Sequence, residues 1–164
     1  MVNFLYLLCV LSAVIQSGQG VEDTDKTVLK ADLPHIGCDV CMKAMTEIHY
    51  ITEAARRNVT YGKLTEETII DLIDKVCAAR SKDGIWMRTL DIVEYKEDGQ
   101  KYLKLNAPGG MSTCGRECGT IEKSCINLFD EEIDRDELTV YIWQNAYKSA
   151  EELQVSCTCQ YERV

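Results

Sequence analysis

Residues 38–41 read Cys-Asp-Val-Cys and residues 157–159 read Cys-Thr-Cys, so a close cysteine pair lies near each end of the chain. Four more cysteines lie between the two pairs: Cys77, Cys114, Cys118 and Cys125. The ninth, Cys9, lies near the N-terminus, ahead of this set. An even number of cysteines in an exported chain is typical of a disulfide framework. The two close pairs indicate that the ends of the folded region are tied together, and that the other cysteines staple its middle.

The first twenty residues predict export. Residues 4–15 (FLYLLCVLSAVI) are almost wholly apolar, and Gly18 and Gly20 are small residues at the spacing that signal peptidase requires. No Lys or Arg precedes the apolar run, so an uncleaved membrane anchor is the alternative. A span needs about 20 apolar residues, which favours cleavage. We therefore expect a signal peptide at residues 1–20 and a secreted protein, or one of the endoplasmic-reticulum or endolysosomal lumen.

Charge narrows the classes of partner. The predicted leader has no charged residue, so the formal net charge of −9 at pH 7 belongs to the rest of the chain. This charge argues against nucleic-acid binding and against strong attraction to anionic membranes at neutral pH. In an acidic compartment, carboxylates take up protons and the charge falls. The remaining length is enough for one domain with its own core, preceded by a polar segment, residues 21–36, that we expect to be flexible.

Apolar periodicity predicts two helices in the first half of the chain. From Cys38 to about Arg57, apolar and small residues recur at helical spacing: Cys41, Met45, Ile48, Thr52 and Ala55. A second helix opens at Thr65, a favourable N-cap, and Glu66 and Glu67 suit the positive end of the helix. Its apolar stripe is Ile69, Leu72, Ile73, Val76 and Cys77.

The period then changes to that of a strand. Residues 85–95 and 100–105 are rich in β-branched, aromatic and alternating residues, and Asp98-Gly99 is a favourable turn between them. This pattern predicts a β-hairpin inserted at about residues 84–106. We expect residues 107–113, which contain Pro-Gly-Gly, to form a loop.

Two further helices are predicted beyond this loop. The third carries four apolar residues on one face: Cys118, Ile121, Cys125 and Leu128. The acidic stretch 130–137 then leads into a fourth helix that ends near Val155. Its expected core positions are Leu138, Tyr141, Ile142, Ala146, Ala150 and Leu153, and Trp143 lies off that stripe.

One modification site is recognisable. Asn58-Val59-Thr60 is an N-glycosylation sequon, and it lies close to Gly62, as expected for an exposed turn. In a secreted chain we expect Asn58 to carry a glycan.

The sequence contains no catalytic constellation. Cys38 and Cys41 have the spacing of a thioredoxin-type redox pair at a helix start, but Asp39 disfavours the thiolate and no strand precedes the motif. Zinc is another use of close cysteine pairs, although export favours disulfides over both alternatives. His35 and His49 have no partner at a catalytic spacing. The acidic runs lack the EF-hand pattern. We expect no enzymatic activity, bound metal or cofactor.

At this point the chain resembles a saposin B-type domain. The match lies in a Cys-x2-Cys pair opening the first helix, a lone cysteine ending the second, one in the third and a close pair ending the fourth. The resemblance implies a mainly α, disulfide-stapled four-helix bundle over residues 37–160, with the hairpin inserted between helices two and three. It also implies the pairs Cys38–Cys159, Cys41–Cys157 and Cys77–Cys125, since the family's fourth cysteine ends helix three. Cys114 and Cys118 are then extra and pair together.

Two features extend the resemblance to particular groups of saposin-like proteins, and a third departs from the usual family pattern. The insertion at residues 82–113 is similar to one in the canopy family of endoplasmic-reticulum folding cofactors. Residues 114–121 (CGRECGTI) are similar to a set of plant and algal saposin-like proteins, one of which is named for a degreening-related transcript. The final cysteines are separated by one residue, which is closer than usual for saposin-like proteins.

The resemblance implies two classes of function. The first is binding of lipid or membrane surfaces through amphipathic helices, in which apolar area is buried against lipid. The alternative is a folding cofactor or protein-interaction module of canopy type, with a client protein bound at the hairpin. The C-terminal residues 161–164 are not a retrieval signal of the KDEL type. The lipid, the client and the oligomeric state stay open.

Overall fold

The computed structural model describes residues 28–157 and residue 159, and it is mainly helical with one small hairpin. The predicted signal peptide, residues 21–27 and residue 160 lie outside the described residues. Within the described part the elements follow in this order: α1 (Leu33–Arg57), α2 (Glu66–Val76), β1 (Asp91–Glu97), β2 (Gln100–Asn106), α3 (Arg116–Asn127), α4 (Arg135–Trp143) and α5 (Ala150–Gln154).

Helix α1 is the scaffold of the fold. It starts at Leu33 rather than at Cys38, and so includes residues 33–36 of the segment expected to be flexible. Pro34 in the first turn suits a helix start. The first backbone N–H groups of any helix have no acceptor within the helix, so proline, which lacks an N–H, loses no hydrogen bond there. Ile36 is fully buried and extends the apolar stripe by one turn. Helices α2, α3 and α5 and strand β2 all pack against α1.

Helix α2 forms as predicted. The backbone N–H of Thr68 donates to the Thr65 hydroxyl at 3.2 Å, and Glu66 and Glu67 occupy the first turn. The buried stripe of α2 is Ile69, Ile73 and Val76.

The predicted hairpin is present, but it is shorter than expected. Asp98 and Gly99 have positive φ angles of 50° and 79°, as a tight two-residue turn requires, and Glu97 lies opposite Gln100. The expectation that residues 85–90 belong to the first strand is wrong, because Ile85–Thr89 is a 3-10 helix. The indole N–H of Trp86 donates to the backbone carbonyl of α2 residue 76 at 2.9 Å, which holds this turn against the core.

The predicted fourth helix is two helices. Asn145 has a left-handed φ of 54°, and the backbone N–H groups of residues 145 and 146 donate to the carbonyls of residues 142 and 141. This is a Schellman motif, and it ends α4. The chain continues to Ser149, the N-cap position of α5. As a result Tyr147 is buried, whereas Ala146, an expected core residue, is exposed.

Four disulfides link the eight cysteines of the described region: Cys38–Cys159, Cys41–Cys157, Cys77–Cys125 and Cys114–Cys118. The predicted disulfide framework is therefore confirmed, and its pairs coincide with those that the saposin resemblance implied. Two of the disulfides join the start of α1 to the end of the chain. The third joins the end of α2 to α3, and the last closes the entry to α3.

Gly84 provides a test of the packing. A Cβ atom at this position lies 2.1 Å from the carbonyl oxygen of Ala78, and backbone atoms cannot move aside as a flexible side chain can. We expect Gly84→Ala to lower the free energy of unfolding by about 1–3 kcal/mol. Chemical denaturation followed by circular dichroism measures this change.

Gly37 is the matched control. It lies inside α1, and a Cβ there meets no atom within 4 Å. Because alanine favours a helix interior over glycine by roughly 0.5–1 kcal/mol, Gly37→Ala is expected to leave stability unchanged or to raise it. Equal effects of the two substitutions would contradict this account of the packing around Gly84.

Candidate functional site

The Cys-x2-Cys motif does not form a redox pair with itself. Cys38 bonds to Cys159 and Cys41 bonds to Cys157. His35 and His49 both lie on α1. Within residues 28–157 and 159, no group of three or more His, Cys, Asp or Glu side chains is placed to hold a metal ion.

The acidic stretch before α4 has structural partners. The carboxylate of Asp134 accepts the backbone N–H groups of residues 136 and 137, both at 3.0 Å, and so caps α4. Arg135 pairs with Asp130 at 2.8 Å and with Asp74 of α2 at 2.9 Å. A cavity of about 460 Å³ lies beside this stretch, with Glu137 and Glu152 in its lining. The stretch joins α2 to α4 and caps α4.

Two carboxylates anchor the base of the hairpin. Ile92 and Leu105 lie opposite each other on β1 and β2. The backbone N–H of Ile92 donates to Glu117 at 2.8 Å, and that of Leu105 donates to Asp39 at 2.9 Å. Glu117 lies in the first turn of α3 and Asp39 lies on α1, so the two outer edges of the hairpin base are tied to two helices.

The two faces of the hairpin differ. Ile92, Leu103 and Leu105 pack against the core. Side chains alternate along a strand, so Tyr95 and Tyr102 lie on the opposite, outer face, where their rings stack with centroids 5.3 Å apart. Partial burial and, to a smaller extent, the charge of nearby Glu97 raise the pKa of the Tyr95 phenol. The hairpin therefore presents a pair of aromatic rings on an anchored support.

The anchoring makes a testable prediction. Replacing both Asp39 and Glu117 with Ala leaves two backbone N–H groups without their acceptors, and charge-assisted bonds of this kind contribute roughly 1.5–3 kcal/mol each. We expect the amides of Ile92 and Leu105 to exchange with deuterium at least tenfold faster, as measured by NMR.

The control for this experiment is Glu94→Ala. Glu94 pairs with Lys101 at 3.0 Å on the same hairpin, but it is exposed and accepts no backbone N–H from the described part of the chain. Unchanged exchange at both amides in the Asp39 and Glu117 variant would show that the carboxylates do not hold the hairpin.

Several exposed apolar side chains lie on the α1–α2 connection and on the neighbouring helices α2 and α4, and we call this set the apolar patch. It consists of five exposed residues: Val59, Tyr61, Ile70, Val140 and Trp143. Val140 and Trp143 share a face of α4 because they are three residues apart. The ammonium group of Lys63 lies 5.2 Å from the centre of the Trp143 ring, which places the α1–α2 connection beside α4. Helix α2, which carries Ile70, packs against α4.

Tyr61 is the most exposed member of the apolar patch. Its side chain is 99% exposed, and its φ of +62° is a left-handed conformation that bulky residues adopt uncommonly. Strained positions of this kind cluster at functional sites, so the combination of strain and an exposed aromatic ring identifies the connection as a candidate contact surface.

Asn58 lies at the edge of the apolar patch. It caps the C-terminus of α1, is exposed, and donates from its side-chain nitrogen to the carbonyl oxygen of Ala54 at 2.9 Å. A glycan on this nitrogen leaves one N–H for that bond. The position is accessible to glycosylation, and its neighbour Val59 belongs to the apolar patch.

The comparisons with known proteins give no relative: no protein-family model, no curated protein and no solved structure matches this chain. In the described part of the chain, none of the helices has the length and apolar character needed to cross a membrane. The four disulfides fit an oxidising secretory or extracellular environment.

Proposed function

We propose that this protein is a secreted or luminal saposin-like protein that binds membrane surfaces through the apolar patch. The exposure of five apolar and aromatic side chains on neighbouring elements is the observation that carries the proposal. The saposin-like assignment is supported by the order of the cysteines and by the disulfides that join the first helix to the end of the chain.

The chemistry of the apolar patch suits a membrane interface. Tyr and Trp rings concentrate at the headgroup level of bilayers, where one end of the ring is apolar and the other is wet. Lys63 beside Trp143 can reach headgroup oxygens while its stem covers apolar surface. The core-facing stripes of the helices are buried against one another, whereas the apolar patch is exposed and can contact lipid.

The same patch sets the first functional test. We expect Tyr61→Ser combined with Trp143→Ser to weaken binding to phosphatidylcholine vesicles at least tenfold, because both rings lose their apolar contact with lipid. Co-sedimentation with vesicles measures the effect. The matched control is Met111→Ser combined with Val155→Ser, which removes two exposed apolar side chains outside the patch.

A second candidate function is favoured by the stacked rings on the anchored hairpin. A protein-interaction module of the canopy type would bind a client protein at the outer face that carries Tyr95 and Tyr102. Replacing both tyrosines with Ser distinguishes the two functions. If the intact protein ignores vesicles, and this hairpin variant loses a binding partner that the Tyr61 and Trp143 variant keeps, the membrane proposal is wrong.

The sequon supplies a further prediction. A glycan on Asn58 is bulky and hydrated and stands next to Val59, so it should hinder the approach of the apolar patch to a bilayer. We expect Asn58→Gln, or enzymatic removal of the glycan, to strengthen vesicle binding several-fold over the glycosylated protein. Mass spectrometry first establishes occupancy. Equal vesicle binding with and without the glycan would argue that another surface faces the membrane.

A further inference from the structure

A cavity of about 490 Å³ lies between the C-terminal half of α1 and the connection from α4 to α5. Its lining includes six polar side chains: His49, Glu53, Arg57, Asn145, Tyr147 and Lys148. Most of these groups donate hydrogen bonds, and two of them, Arg57 and Lys148, carry a permanent positive charge at neutral pH.

Within residues 28–157 and 159, the two cationic side chains of the lining form no ion pair. Among the described residues, no carboxylate lies within 4.0 Å of the charged groups of Arg57 or Lys148. The carboxylate in the lining, Glu53, pairs instead with Arg56 at 3.3 Å. The lining of the cavity therefore holds two cationic side chains and one carboxylate, although the chain as a whole has a formal net charge of −9 at pH 7.

The carboxylates of the adjoining helix α5 lie near the cavity but have hydrogen-bond partners of their own. A hydrogen bond from the Ser149 hydroxyl, with a smaller contribution from His49, lowers the pKa of Glu151. Glu152 accepts the backbone N–H of Lys148 at 2.7 Å. Neither glutamate belongs to the lining of the cavity.

The floor of the cavity is held in place. The Tyr147 hydroxyl lies 2.7 Å from the Thr52 hydroxyl, and Thr52 is fully buried and donates to a carbonyl one turn earlier in α1. The guanidinium group of Arg56 lies 5.8 Å from the centre of the Tyr147 ring. The His49 ring packs edge-on against Tyr147 with centroids 5.6 Å apart, and its Nδ1 is buried without a hydrogen-bond partner among the described residues.

We propose that this cavity binds a phosphate group. The planar fork of Arg57 matches phosphate oxygens, Lys148 adds a compact charge, and the Asn145 amide adds neutral donors. The volume of the cavity is larger than one inorganic phosphate ion fills, so the phosphate of an ester can bind together with its organic substituent.

The position of the cavity indicates the source of the phosphate. Arg57 is two residues before Val59, and Asn145 is two residues after Trp143, so the cavity borders the apolar patch at two points in the chain. A phospholipid headgroup can therefore enter the cavity while the apolar patch meets the acyl region. The inference that the phosphate belongs to a phospholipid headgroup rests on the proposed function. A soluble phosphate ester is the other source of a phosphate group for this cavity.

The experiment uses the secreted protein with two probes: inorganic phosphate, and phosphatidylcholine vesicles with and without phosphatidic acid. The test variant is Arg57→Gln with Lys148→Gln. The matched control, Lys96→Gln with Lys101→Gln, removes the same charge from the hairpin. We expect phosphate to shift the NMR signals of the Asn145 and Lys148 amides, and the test variant to bind phosphate at least tenfold more weakly than the control.

The vesicle arm separates the two sources of phosphate. We expect phosphatidic acid to strengthen vesicle binding, and the test variant alone to lose that gain while it keeps binding to phosphatidylcholine. If phosphate shifts these amides but no vesicle binds, the cavity serves a soluble phosphate ester and the membrane function fails. If vesicles bind equally with and without phosphatidic acid and phosphate shifts no signal at the cavity, the phosphate site is wrong although the membrane function stands.

Discussion

The crosslinks between the start of α1 and the end of the chain are the constraint on which the other elements depend. Cys38–Cys159 and Cys41–Cys157 span separations of 121 and 116 residues. Loop-closure entropy assigns roughly 4–5 kcal/mol to each, although the second adds much less because the first has already closed the loop. With its first turns fixed to the end of the chain, α1 serves as the axis against which α2, α3, α5 and β2 pack.

The cysteine motifs also position the hairpin. Asp39 lies between Cys38 and Cys41 on α1, and Glu117 directly precedes Cys118. Both carboxylates accept backbone N–H groups of the hairpin base, so the disulfides that order these segments also order the strands. The α1–α2 connection is different, since it holds Tyr61 in a strained and exposed conformation. The hairpin base is thus anchored, whereas the α1–α2 connection presents an exposed aromatic ring to its surroundings.

Capping and turn residues in the sequence predicted the start of α2 and the turn of the hairpin, because both features depend on interactions between neighbouring residues. Thr65 and its following glutamates marked the start of α2, and Asp98-Gly99 marked the hairpin turn. The break after Trp143 could not be read from periodicity, because the bond between Tyr147 and Thr52, 95 residues apart, helps to decide which residue is buried. Spacing alone also leaves roughly a hundred pairings for eight cysteines, and the pairs expected came from the family resemblance.

The candidate surfaces were less predictable than the helices. Trp143 stood off the core stripe, which was the available signal for the apolar patch, but the proximity of Lys63 and the exposure of Tyr61 follow from tertiary packing.

The anchored hairpin also bears on self-association. A strand edge is a template for adding strands from other molecules. Here Asp39 and Glu117 occupy the edge groups nearest the core, so a second copy of the hairpin must displace a carboxylate before it can extend the sheet there, which protects a two-stranded sheet from edge-to-edge aggregation.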